Sequence, residues 1–455
     1  MNILIKNGTI VTSKKTEVTD IFISNGKVLQ LGKSLQITEK TDKIIEAGQF
    51  LIFPGGIDPH VHMELPTPAG PSSDDFNTGS IAALMGGTTT LLDFVTPQKG
   101  EPLPEALKKR TMEAEKSYCD YSFHVSPVEW TDNTEKEINE CIKAGITSFK
   151  VYMAYKGAVG LEDDSLKKVL NAVGKAGGLV TIHCESGDEI EELRNKYFSE
   201  GKTEPKYHAL SRPAELEAKA VQKIINFAKE ANCAIYIVHV SAKKSLEIIE
   251  KAQKKGQKVY AETCPHYLLL DDSGYEGDFE STVKYVISPP LRKKDDQEAL
   301  WKNIQKRIVS TVGTDHCPFH LSQKSAGIND FRKIPNGAGG VEHRMSLLFT
   351  YGVLEKKISL NQFVNITSTN AAKIFGLYPK KGEIAIGSDA DLVIWNPKTE
   401  NTISTAKHHS NCDLEIYNGF KTIGIPEFVI ANGEIKVEKG EFVSESRGKF
   451  LKRII

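Results

Sequence analysis

Three kinds of hydrophobic pattern divide the chain. At the start, short apolar alternations are broken by turn signals. Ile3-Leu4-Ile5 leads to Asn7-Gly8, Thr9-Ile10-Val11-Thr12 follows, and Ile21-Phe22-Ile23 turns through Asn25-Gly26 into Lys27-Val28-Leu29. Asn-Gly between apolar alternations is a strong hairpin signal. The far end repeats the style in Ala390-Asp391-Leu392-Val393-Ile394-Trp395 and in Val429-Ile430-Ala431-Asn432-Gly433-Glu434-Ile435-Lys436-Val437. The two ends therefore predict pieces of one small β domain.

Between them, apolar runs alternate with amphipathic stretches. Strands are predicted at Phe50–Phe53, Thr88–Phe94, Tyr121–Val125, Ser148–Met153, Leu179–Cys184, Ala234–Val240, Lys258–Cys264 and Ser310–His316. Helices fit at Glu101–Ser117, Glu135–Ala144, Asp163–Ala176, Pro213–Ala231 and Ser241–Gly256. Strands separated by helices imply parallel βαβ units, and eight of them predict a closed (β/α)₈ barrel of the TIM type. An open, doubly wound sheet lacks support, because no G-x-G-x-x-G follows an early strand. The expected fold is α/β. Residues 54–380 form the barrel, and 1–53 with 381–455 form a small β-sandwich built from both termini.

Composition narrows the function classes. A chain of 455 residues with a net charge of −1 makes no electrostatic case for nucleic acid or an anionic membrane. Its N-terminal apolar run is too short for a signal peptide, and no run approaches the length that spans a bilayer. Seven scattered cysteines without a C-x-x-C pair point to a reducing compartment, so a cytoplasmic location is expected.

The chemistry gathers around Gly55-Gly56-Ile57-Asp58-Pro59-His60-Val61-His62, just after the first predicted strand. Side chains alternate along an extended chain, so His60 and His62 face the same side. One His-x-His pair says little by itself. Four further polar residues sit at predicted strand ends: Lys150, His183, His239 and Asp315. In a barrel of this type the strand carboxyl ends share one face, where catalytic groups collect. Four neutral imidazoles and a carboxylate suit two borderline divalent metals such as zinc. A pair of metals about 3.5–4 Å apart needs a bridge. A lysine ammonium has no lone pair to offer. Once its amine has added carbon dioxide it is a carbamate, whose two oxygens can bridge.

These residues and several longer stretches resemble the dihydropyrimidinase and D-hydantoinase family, cyclic amidohydrolases of the amidohydrolase superfamily. The stretches include Pro54 through His62, Asp74-Asp75-Phe76, Gly86-Gly87-Thr88-Thr89, Met153-Ala154-Tyr155-Lys156, Cys264-Pro265-His266-Tyr267-Leu268, Ile287-Ser288-Pro289-Pro290-Leu291-Arg292 and Ile334-Pro335-Asn336-Gly337. The likeness runs to the tail, with His408-His409-Ser410 and Gly448-Lys449-Phe450. It implies a metal centre of His60, His62, carboxylated Lys150, His183, His239 and Asp315. It further implies two divalent ions, zinc by analogy, a small cyclic amide as substrate and a homotetramer. Neuronal scaffold proteins share this fold but lack ligands, whereas this set is complete.

The resemblance implies hydrolytic ring opening of a 5,6-dihydropyrimidine or 5-substituted hydantoin to an N-carbamoyl amino acid. A metal-bridging hydroxide attacks, Asp315 serves as general base and then acid, and Tyr155 stabilises the oxyanion. Ser288 and Asn336 match positions whose main chains hold the ring amide. Pro66-Thr67-Pro68-Ala69-Gly70 departs from the family, which carries Pro-Phe-x-Gly there, so the substituent pocket is expected to differ. Dihydroorotases place an arginine where this chain has Glu64, which is expected to repel a substrate carboxylate. Allantoinase stays open. Cys184, Cys264 and Cys317 read as buried fillers, and His124, His266 and His316 as structural neighbours of the site rather than ligands.

Overall fold

The computed structural model describes residues 1–454 and holds two sheets. One is an eight-stranded parallel barrel of Gly56–Val61, Thr88–Val95, Asp120–Val125, Ser148–Tyr152, Leu179–His183, Ala234–Ile237, Val259–Thr263 and Thr311–Val312, neighbours in chain order. The His62 N–H donates to the His316 carbonyl at 2.8 Å, which joins the last strand to the first. Helices Leu103–Glu113, Thr134–Lys143, Asp163–Lys175, Ala214–Glu230 and Lys243–Lys254 stand where the periodicity places them. Helix Asp163–Lys175 shows why. It buries Leu166, Val169, Leu170 and Val173, a single stripe at 3- and 4-residue spacing. Each such side chain contributes about 1.5–3 kcal/mol when fully buried. Helices Phe76–Met85, Gly187–Ser199 and Lys294–Gln305 escaped the sequence reading.

The second sheet has nine strands drawn from both ends of the chain. Strand Ile3–Val11 pairs antiparallel with Thr16–Ser24 and parallel with Lys43–Glu46 and Leu51–Pro54. Leu51–Pro54 in turn pairs antiparallel with Leu392–Thr402. Ile3, Ile10, Ile21, Ile23, Ile52, Leu392, Ile394 and Ile430 share one buried cluster, so N- and C-terminal strands close a common sandwich core.

This corrects the first predicted barrel strand. The run Phe50–Phe53 belongs to the sandwich, and Gly56–Val61, expected only as extended chain beyond that strand, is itself the barrel strand. The chain changes sheets at two glycines. The Gly55 N–H donates to the Asp391 carbonyl at 2.7 Å, and the Gly56 N–H to the Gly87 carbonyl at 2.9 Å. A Cβ on Gly55 would stand 2.2 Å from the Thr89 hydroxyl oxygen, so only glycine fits the crossing.

Two strands are also shorter than expected, ending at Ile237 and Val312. Just beyond them His239 (φ 41°) and Asp315 (φ 52°) adopt left-handed backbone, which ends an extended run. Among the described residues no helix is long and apolar enough to cross a membrane.

Candidate active site

All the candidate ligands meet at one end of the barrel. His60 lies in its strand and His62 just past it. Lys150 lies within Ser148–Tyr152, His183 ends Leu179–His183, and His239 and Asp315 follow their strands. Together with Tyr155, Ser288 and Asn336 they line a cavity of about 970 Å³.

Three donor atoms form the tightest group. His60 Nε2 is 3.2 Å from His62 Nε2, and the Asp315 Oδ1 is 3.0 Å from the first and 3.1 Å from the second. Ligand atoms roughly 2.0–2.1 Å from one zinc ion lie roughly 3.0–3.4 Å apart, so this spacing fits a shared metal. The second pair is His183 Nδ1 and His239 Nε2, 2.9 Å apart. The rings of His60 and His239 lie 5.4 Å apart, which brings the two groups together.

Buried carboxylates orient the imidazoles. Glu262 is fully buried and accepts from His60 Nδ1 at 2.7 Å, the His239 N–H at 3.2 Å and the Tyr236 hydroxyl at 2.7 Å. Glu185 engages His183 Nε2 at 2.8 Å and takes 2.6 Å from Arg212 Nη1. Outer carboxylates of this kind fix the tautomer of a ligating histidine. The sequence reading missed both. Glu262 sits inside a strand, where no local signal tells an inward carboxylate from an outward one. Glu185 follows His183 by two residues, a spacing that held the only clue.

Electrostatics favour a cation here. Burial opposes charge on His60, but Asp315 and Glu262 outweigh it and push its pKa to about 9. Burial raises Asp315, yet His60 and His62 hold it well below the usual carboxylate range. Burial lowers both His183 and His239, so each presents a neutral imidazole. Burial also brings the Lys150 amine down to about 8, with Asp315 and Glu262 opposing. Its Nζ lies 4.9 Å from the ring centres of both Phe94 and Tyr152.

Tyr155 takes left-handed backbone (φ 62°) in the loop after the Lys150 strand, its ring 5.3 Å from that of His183. Such a backbone in a non-glycine residue stores strain and is concentrated at functional sites. Thr67 and Pro68 line the same cavity. Cys317 lines it too, but burial raises its thiol well above the ordinary range, as it does for Cys184 and Cys264. None of the three is a ready nucleophile. His124 bonds Ser148 Oγ and the Pro59 carbonyl, and His316 bonds Asp74. His266 is buried, and all three histidines lie outside the cavity wall.

Glu64 requires a correction. It takes left-handed backbone (φ 50°), and its carboxylate lies 3.5 Å from Lys116 in a separate surface cleft with Asp75. Its charge therefore does not face the cavity, and the expected repulsion of a substrate carboxylate falls away.

A closed barrel with imidazoles and a carboxylate converging at its strand ends defines a metal-dependent hydrolase of the TIM-barrel class. The model of the amidohydrolase family matches residues 51–436, and the chain belongs to that family. It is 44% identical over 457 residues to a D-hydantoinase of Ralstonia pickettii, covering 100% of this chain and 99% of that protein. A dihydropyrimidinase of Rattus norvegicus is 39% identical, with 99% of this chain and 88% of the rat protein covered. The crystal structure of a dihydropyrimidinase from Brevibacillus agri superposes with a TM-score of 0.98 at 42% identity, over 100% of this chain and 99% of that one.

Proposed function

We propose that the protein hydrolyses a cyclic amide or ureide, a 5,6-dihydropyrimidine or a 5-substituted hydantoin, to the N-carbamoyl amino acid. The observation that carries this reading is the convergence of His60, His62 and Asp315 within 3.0–3.2 Å at the cavity. The full-length likeness to hydantoinases and dihydropyrimidinases gives it a substrate class.

In this reading His60, His62 and Asp315 would hold one divalent ion and His183 and His239 a second, with carboxylated Lys150 as a further ligand; zinc suits the donor set. Burial brings the Lys150 pKa down to about 8, so its amine gives up a proton far more readily than an ordinary lysine. The freed lone pair adds to the carbon of carbon dioxide, and the displaced proton leaves to water, giving the carbamate anion. When bound, the metals supply Lewis acidity that makes water a nucleophile at neutral pH. Asp315 accepts the proton of the attacking water. It then returns that proton to the ring nitrogen as the C–N bond breaks, so the water oxygen ends in the new carboxylate. The Tyr155 hydroxyl donates to the developing oxyanion. The main chains of Ser288 and Asn336 hold the ring amide. The family resemblance adds a homotetramer, the scattered cysteines support a cytoplasmic location, and the hydrophobic pattern supports domain boundaries at residues 54 and 381.

The test is kcat/KM across dihydrouracil, hydantoins, allantoin and dihydroorotate, with metal analysis of the same preparation. The expected result is highest turnover on dihydrouracil or a hydantoin, two divalent ions per chain and a carbamate carbon signal from the intact, folded enzyme supplied with 13C-labelled bicarbonate that Lys150→Ala lacks. Preference for allantoin or dihydroorotate would overturn the substrate reading. One ion or none in fully active enzyme would overturn the metal centre.

A further inference from the structure

Lys324 closes the one-turn helix Leu321–Lys324 and is only 1% exposed. Its ammonium donates to the Val286 carbonyl at 3.1 Å and to the Pro335 carbonyl at 2.9 Å. The Phe319 ring lies 5.7 Å away. Burial lowers its pKa to about 7, and no carboxylate is among the groups that oppose the shift. A buried ammonium without a counter-ion is costly, and an apolar side chain of the same length would pack there more cheaply. The head group must therefore do something a methionine would not.

The two carbonyls belong to two separate stretches of cavity wall. Val286 lies two residues before Ser288, and Pro335 lies one before Asn336. Ser288, Pro335 and Asn336 all line the cavity. The stretches meet directly at one further point, where the Gly337 N–H donates to the Val286 carbonyl at 3.0 Å. On its other side the Ser288 segment is held by His208 Nε2, 2.8 Å from the Ile287 carbonyl. Lys324 is thus a hydrogen-bonding tie between the two segments, placed behind the wall and out of reach of substrate.

We propose that Lys324 is a positioning residue for ring recognition, fixing the spacing between the main chains of Ser288 and Asn336. This rests on the reading that these two main chains hold the ring amide. The two main chains hold the ring in the ground state and in the transition state alike, so a tie that sets their spacing acts on KM more than on kcat.

The test compares wild type, Lys324→Met and Lys324→Gln, using dihydrouracil and two hydantoins that differ only in the 5-substituent. Metal content and melting temperature are measured on each variant. For Lys324→Met, KM is expected to rise about tenfold or more on every ring, while kcat stays within about threefold. Metal content and the ratio of kcat/KM between the two hydantoins should not change, because the tie touches the ring edges and not the substituent pocket. Lys324→Gln keeps an N–H donor and should fall between the two. A wild-type KM in Lys324→Met would overturn the proposal. So would a loss confined to kcat or to metal content, or an equal shift in the substituent ratio. If Lys324→Met does not fold, Lys324→Gln decides alone: KM raised at least about threefold supports the tie, and wild-type KM removes it. Wild-type enzyme that opens none of the rings would remove the functional reading and this proposal with it. Active wild type with an indifferent Lys324→Met would remove this proposal only.

Discussion

His60 carries a proton in the metal-free protein because Asp315 and Glu262 surround it with negative charge. That proton occupies the place a metal would take. With the pKa raised to about 9, a metal must displace the proton at any lower pH. Affinity of the metal-free protein for zinc should therefore climb at least about tenfold per pH unit from 7 toward 9, more steeply below 8 where Lys150 must also lose its proton, and flatten above. Affinity that is level across that range, read by competition with a chromophoric chelator, would refute the assignment. Glu262 has a separate consequence. Glu262→Gln keeps the shape but replaces an acceptor facing His60 Nδ1 with a neutral amide. Metal affinity should fall about 10–100-fold, the usual effect of removing such an outer carboxylate. Unchanged metal retention on dialysis against chelator would argue against the role.

At the scale of elements, the loop that follows His62 sets the shape of the cavity mouth. Thr67 spends its hydroxyl on its own turn. It donates to the Gly70 carbonyl at 2.6 Å and accepts from the Ala69 N–H at 3.2 Å. The wall at this point is small and half polar, where the family pattern noted in the sequence would place a phenylalanine. A buried phenylalanine contributes about 1.5–3 kcal/mol of contact. Thr67→Phe should therefore shift kcat/KM among 5-substituted hydantoins within about 10–200-fold, toward aromatic substituents or against the largest ones. Identical kcat/KM across a substituent series for the variant and the wild type would show that the loop takes no part in selecting the substituent.

On the scale of the whole molecule, barrel and sandwich are joined by a buried charge cluster. Lys381 is fully buried, with its Nζ 2.6 Å from Asp120 at the barrel and 3.1 and 2.5 Å from Asp389 and Asp391 beside the sandwich strands. Burial opposes its charge, and the three carboxylates outweigh that and hold its pKa above the ordinary lysine range. Lys381→Met would leave three carboxylates without their shared cation. Breaking a buried pair in this way destabilises by about 3–5 kcal/mol. The denaturation midpoint should drop accordingly, while kcat of the enzyme still folded stays near wild type. A loss below about 1 kcal/mol would show that the cluster is not what couples the two parts.

Sequence periodicity was enough to place most of the barrel. Apolar runs at β spacing and amphipathic stretches at helical spacing are local properties, and burial on a barrel enforces both. The ligand candidates were legible for a related reason. A histidine or lysine at the end of a β-branched run needs a partner once buried, so His60, Lys150, His183 and His239 stood out before any contact was known. What the sequence could not place depends on contacts between distant segments. Phe50–Phe53 has the pattern of a barrel strand. It joins the sandwich because Leu392–Thr402 pairs with it and Gly55 passes too close to Thr89 for any side chain. Glu64 lies two residues past the His-x-His motif, yet the backbone at φ 50° turns it out toward Lys116. Glu262 and Lys324 look like ordinary charged residues in the sequence. Only the closed barrel brings a carboxylate 2.7 Å from His60 and an ammonium between two carbonyls of the cavity wall, because a buried charge is defined by its partners.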